Sequence, residues 1–183
     1  MQLRKKVIAI SGMPGAGKGV ASAAAKQLGF DVLVLGDVIR EETERRGLDP
    51  TPQNIGAVML QVREIEGPAA VAKRLLPKIE QCQSNEVIVE GIRSLPELTE
   101  LKSKFEVMTL AIHASPKTRF NRLLSRRRSD DPKTLDTFSE RDNRELTVGL
   151  GQVIALADYL AVNENTITEL QSAVKDILNK LKT

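Results

Sequence analysis

Short apolar, β-branched runs recur along the chain at Lys6–Ile10, Val32–Leu35, Glu86–Val89, Glu106–His113 and Tyr159–Val162. Each has strand length and mostly lacks strict alternation, the pattern of strands buried on both faces. Helix-like stretches lie between them, and strands separated by helices predict a parallel α/β sheet. Lys18–Leu28 is Ala-rich and stops at Gly29, and Asp37–Arg46 stops at Gly47. Thr51 caps a helix with Pro52 at its first position, running towards Gly67-Pro68. Pro77 is expected to break or kink the stretch Ala69–Gln81. Ser94-x-x-Glu97 and Thr166-x-x-Glu169 read as capping boxes, and Ser115-Pro116 opens a helix carrying Arg119, Arg122 and Arg126. Residues 37–84 and 116–150 are too long for single crossover helices. Both segments are expected to be helical insertions over the carboxyl edge of one sheet, within a single domain spanning 1–183.

Composition narrows the class. The longest apolar runs, such as Val7-Ile8-Ala9-Ile10, fall far short of the roughly 20 residues a spanning helix needs. The basic start Met1–Lys6 is followed by too short an apolar stretch for a leader. The single Cys82 excludes an internal disulfide, a cysteine-cluster zinc site and a CxxC pair, so a cytoplasmic setting is expected. With 27 Lys+Arg against 24 Asp+Glu the net charge is +3, too mild to imply nucleic acid by itself. One Tyr, four Phe and no Trp supply few platforms for stacking single-stranded bases.

The sharpest chemical signal is Gly12-Met13-Pro14-Gly15-Ala16-Gly17-Lys18-Gly19, between a strand and a helix. Glycines let backbone N–H groups converge on phosphate oxygens. The helix N-terminus adds positive potential, and Lys18 supplies a mobile charge. The usual Ser/Thr after the lysine is Gly19 here, followed by Val20, with Ser22 one turn inside the helix. A Mg²⁺ ion is therefore expected to be held through water and carboxylates.

This loop resembles that of adenylate kinases and their nucleoside-monophosphate-kinase relatives. Gly36-Asp37-Val38-Ile39-Arg40 resembles the Gly-Asp-x-x-Arg of their acceptor domain, although Leu35 replaces the preceding Thr. Val89-Glu90-Gly91-Ile92-Arg93 resembles Asp-Gly-Phe-Pro-Arg shortened by one residue. Arg128-Ser129-Asp130-Asp131 resembles the lid's Arg-x-Asp-Asp, with Arg141 and Arg144 downstream. Ala157–Asn163 resembles the end of dephospho-CoA kinases. The whole pattern, including Phe138–Leu146, is most similar to a family of archaeal adenylate-kinase-related proteins. The resemblance implies a P-loop kinase of three α/β/α layers, with a five-stranded parallel sheet of order 2-3-1-4-5, a helical acceptor-binding insertion and a lid.

It also implies the site. Gly12, Met13, Pro14, Gly15, Ala16, Gly17, Lys18, Gly19, Val20, Arg122 and Asn163 are expected to bind ATP, with Asn163 near the adenine. Arg40 and Arg93 are expected to grip the acceptor. Asp37 and Glu90, just past strand ends where such sheets bind ligands, are expected to reach Mg²⁺ through water. Lys18, Asp37, Arg128 and Arg141 are the candidate catalytic residues. Local structure offers plainer readings: Asp37 as a helix N-cap, Arg40 paired with Glu44, the arginine run solvated. The function expected is transfer of phosphate from Mg·ATP to a nucleotide-like or CoA-precursor-like small molecule. The alternatives are an ATP-dependent switch binding a protein partner, and a kinase of nucleic-acid ends or RNA-processing factor.

Overall fold

A computed structural model describes residues 4–126 and 131–182. The strands are β1 (Lys6–Ser11), β2 (Asp31–Val34), β3 (Glu86–Glu90), β4 (Glu106–His113) and β5 (Tyr159–Val162). They form one parallel sheet of order β2-β3-β1-β4-β5, the order the resemblance implies. Around it stand α1 (Lys18–Gln27), α2 (Leu35–Arg45), α3 (Pro52–Glu66), α4 (Ala70–Gln81) and α5 (Leu95–Lys104). The chain continues through α6 (Pro116–Arg126), α7 (Leu135–Val148), α8 (Leu150–Ala155) and α9 (Ile167–Leu181).

Alternate residues of each central strand feed two cores. Val7, Ala9, Val87 and Val89 pack against α2–α5 and α8. Ile8, Ile10, Ile88 and Leu110 face α1 and α9. Burial on both faces is why these strands read as continuous apolar runs. Among the described residues no helix is long and apolar enough to cross a membrane.

Local signals fail where a tertiary partner takes over. Helix α4 runs unbroken through Pro77, which sits on its exposed face, where water can serve the carbonyl that the proline cannot. Thr166 caps α9 as expected, its hydroxyl accepting the N–H of Glu169. Ser94, by contrast, makes no side-chain cap on α5, and its Oγ is buried without a partner. The Glu97 carboxylate is engaged instead by Arg63 Nη2 of α3 at 2.8 Å and by the Arg93 N–H at 2.8 Å. The expected capping box is thus a buried tie between α3 and the loop after β3.

Candidate active site

Register brings two loops together. Ile10 of β1 lies opposite Glu90 of β3, so the glycine-rich loop and the segment Glu90–Arg93 leave the sheet side by side. The Gly91 N–H donates to the Ile10 carbonyl at 2.9 Å, and Ser11 Oγ donates to the Ile92 carbonyl at 2.8 Å.

The loop is braced from three sides. A Cβ on Gly12 would stand 2.3 Å from the Ile112 carbonyl oxygen of β4, and one on Gly17 2.4 Å from Asn163 Nδ2. Both glycines also have positive φ, so any side chain there is strained. Asn163 Nδ2 donates to the Ala16 carbonyl at 2.8 Å, while Arg122 Nη2 donates to Asn163 Oδ1 at 3.2 Å. Arg119, 3% exposed, donates to the Pro14 carbonyl at 3.2 Å. It also pairs with Asp142 of α7 at 2.8 Å and lies over the Phe138 ring.

Above the loop opens a cavity of about 680 Å³, lined by Gly12, Pro14, Gly15, Gly17, Lys18, Gly19 and Val20. Its charged walls are Lys18, Arg93, Arg122, Arg126 and Arg141, against Glu90 and Glu145. Lys18 Nζ donates to the Gly12 carbonyl at 2.6 Å. Burial, reinforced by the nearby Arg93 guanidinium, pulls its pKa down to about 8. Asp131, buried between α6 and α7, pairs with Arg126 and lies 3.7 Å from Arg141 Nη1. Glu90 accepts a hydrogen bond from Ser22 Oγ. Glu145 Oε1 lies 3.5 Å from Arg93 Nη1.

Measured against expectation, the structure gathers Lys18, Arg93, Arg122, Arg141 and Glu90 around this cavity with most of the loop. Met13 and Ala16 build the loop rather than line the cavity: both are buried, and their carbonyls accept from Lys18 and Asn163. Asn163 does the same. Its amide is engaged at both ends inside the protein and buttresses the loop. Asp37 and Arg40 do not join the cavity lining. Helix α2 begins at Leu35, so Asp37 lies in its first turn rather than at the cap, and it pairs with Arg40 at 2.7 Å, each about half exposed. That pairing also displaces the Arg40–Glu44 reading. Arg128 lies outside the described residues.

Four contributors had no expected role in the site: Arg119, Asp142, Ser22 and Glu145. Helical spacing carried a trace of them. Ser22 follows Lys18 by four residues, and Glu145 follows Arg141 by four, so each shares a face with a cavity residue.

A family described as an AAA domain matches residues 11–139. A UPF0200 protein of Hyperthermus butylicus is 43% identical, over 96% of this chain and 94% of that protein. The chain belongs to the UPF0200 family. Another UPF0200 protein, from Pyrococcus furiosus, is 45% identical over 96% of this chain and 97% of its own. Among solved structures, TT1252 from Thermus thermophilus aligns with a TM-score of 0.67 at 19% identity, covering 98% of this chain and all of that one. Shikimate kinase from Bacteroides thetaiotaomicron aligns with the same TM-score of 0.67 at 19% identity, over 97% and 98% of the two chains. At that identity these likenesses speak for the fold, and the UPF0200 chain shares the architecture of P-loop kinases.

Proposed function

We propose that the protein is an ATP-dependent phosphotransferase that moves the γ-phosphate of Mg·ATP to a small-molecule acceptor. One observation carries this reading: five cationic side chains, from four separate segments, converge on a cavity floored by a glycine-rich loop at the head of α1. Phosphoryl transfer asks a protein mainly for positioning and positive charge, and that is what this cavity offers.

The residues present suit Mg·ATP. The head of α1 stands at the cavity floor with Lys18, where the positive end of a helix favours phosphate. Gly19 has no hydroxyl for the metal, and Ser22 donates to Glu90, which leaves Glu90 as the carboxylate that would hold metal-bound water. Bound Mg²⁺ would neutralise phosphate charge. Arg122 and Arg126 belong to the donor side. Arg141, with Arg128 as its expected companion, belongs to the migrating phosphate under a lid of α6–α7. Arg93, beside the loop after β3, belongs to the acceptor. The exposed Asp37–Arg40 pair takes no part in this reading. A nucleotide-like or CoA-precursor-like acceptor and a cytoplasmic setting accord with it.

Lys18→Ala tests the reading directly. ATP affinity is expected to fall at least about tenfold, near 1.4 kcal/mol, with the circular dichroism spectrum retained. A companion screen measures phosphate transfer to nucleoside monophosphates, dephospho-CoA and short RNA. Unaltered ATP affinity and turnover in the variant would remove the basis for a phosphate site.

A further inference from the structure

Two carboxylates line the cavity, and they differ in what they already hold. Glu90 accepts a hydrogen bond from the Ser22 hydroxyl. Glu145, in α7, has Oε1 3.5 Å from Arg93 Nη1, while its Oε2 is buried with no hydrogen-bond partner. Its side chain is only 13% exposed. A carboxylate oxygen removed from water and left without a donor is unfavourable, so such atoms are rare unless something else satisfies them. Glu145 lines a cavity whose other charged walls are mostly cationic, and its carboxylate stands beside the arginine assigned to the acceptor.

The chemistry of the two possible acceptor groups differs at this atom. A phosphate acceptor, as in transfer between nucleotides, presents oxygen acceptors and negative charge, and Glu145 repels both. An alcohol presents an O–H, the donor that Oε2 lacks. Resting on the phosphotransferase reading above, we infer that the acceptor is a hydroxyl-bearing small molecule and that Glu145 takes the proton of its hydroxyl.

In the step, the alcohol oxygen forms a bond to the γ-phosphorus as its proton passes to the Glu145 carboxylate, which turns towards the cavity to receive it. The bond from that phosphorus to the β–γ bridging oxygen breaks, and ADP leaves with its electron pair. Glu145 then returns the proton to water. The products are a phosphate monoester, ADP and one proton, with nothing oxidised or reduced.

The test compares two probe sets with the full chain and ATP. AMP, CMP and UMP offer a phosphate, while nucleosides, dephospho-CoA and a 5′-hydroxyl oligoribonucleotide offer a hydroxyl. Phosphorus NMR identifies the product, and calorimetry gives the ATP Kd. A monoester is expected from the hydroxyl set. Glu145→Gln is expected to lower kcat by about 10²-fold or more and to remove the acidic limb of the kcat/KM pH profile. Its ATP Kd should stay within about twofold of the parent, and Glu145→Asp should keep part of the rate. A phosphoanhydride product overturns the inference while sustaining the kinase reading. So does a Glu145→Gln variant that keeps its rate and pH limb. ATP that binds without transfer to either set overturns the inference, and absence of ATP binding takes the kinase reading with it.

Discussion

Two groups of arginines in this molecule do opposite things. On α2 the buried Glu42 carboxylate receives Arg45 Nε at 2.8 Å and Arg46 Nε at 2.7 Å, with Arg74 Nη1 of α4 at 3.0 Å. The Arg45 and Arg46 hydrogen bonds hold its pKa down to about 2. Arg74 is shared with Glu66, so charges there close on one another and bind helices α2, α3 and α4 together. At the cavity no single acid gathers the cations: five of them stand around an open space, with Glu90 and Glu145 in its walls. Asp131 positions two of those arginines from behind. The same residue type thus serves as scaffold where a carboxylate sits at its centre, and, in the function proposed, as a binding surface where the centre is open. Counting charges along the sequence does not separate the two. Their arrangement around a buried acid does.

The comparison breaks if the cavity arginines also prove to be scaffold. Arg141→Ala gives the largest effect expected. It should lower kcat about 10²-fold, near 2.7 kcal/mol, with ground-state ATP affinity almost unchanged, because its charge matters most when water is excluded around the migrating phosphate. Parallel losses in stability and ATP affinity, read by thermal melting and calorimetry, would place Arg141 with the scaffold.

Glu42→Gln tests the other half. Leaving Arg45 and Arg46 without their acid, and Arg74 with Glu66 alone, should destabilise the fold by about 1–3 kcal/mol while ATP affinity holds. The pH dependence follows from the sign of the shift. Since the folded pKa is about 2 against an ordinary 4.5, the stabilisation is complete above pH 4.5 and is lost as pH falls towards 2. Urea titrations across that range should show a slope in the parent that the variant lacks.

The smallest effect sharpens the contrast from the cavity side. Lys18 has a folded pKa of about 8, below its ordinary 10.5. Between those values the unfolded chain binds more protons than the folded one, so Lys18 makes stability rise with pH there. Phosphate beside the ammonium favours its protonated form, so ATP binding near pH 8 should take up about half a proton. Calorimetry in buffers of different ionisation enthalpy measures this uptake, and Lys18→Met should abolish it. No uptake in the parent would mean that the nucleotide phosphates stay clear of Lys18.

Much of this was legible in the chain. The central strands announce themselves because burial on both faces removes alternation, and the phosphate loop is spelled in consecutive residues. Sheet order came through resemblance to known kinases rather than from periodicity. What stayed hidden are pairings between distant segments. Glu97 reads as a capping-box partner for Ser94, yet Arg63, far back in the chain on α3, takes its carboxylate. Arg119 reads only as one more arginine on a helix until Asp142 and Pro14 are seen on either side of it. Asp37 matches an acceptor motif in sequence, but a helix that starts two residues early turns it towards Arg40.

The bracing of the glycine-rich loop has a consequence for the order in which the molecule assembles. Its motif is finished by Gly19, but the loop rests on the Ile112 carbonyl of β4 and on Asn163 after β5, the last strand of the sheet. Ala16 and Asn163 are 147 residues apart in sequence. Closing so long a separation belongs late in folding, after local helices have formed. During synthesis the chain therefore carries the words for a phosphate site long before it has the shape. Nucleotide capture becomes a sign that the final strand has docked.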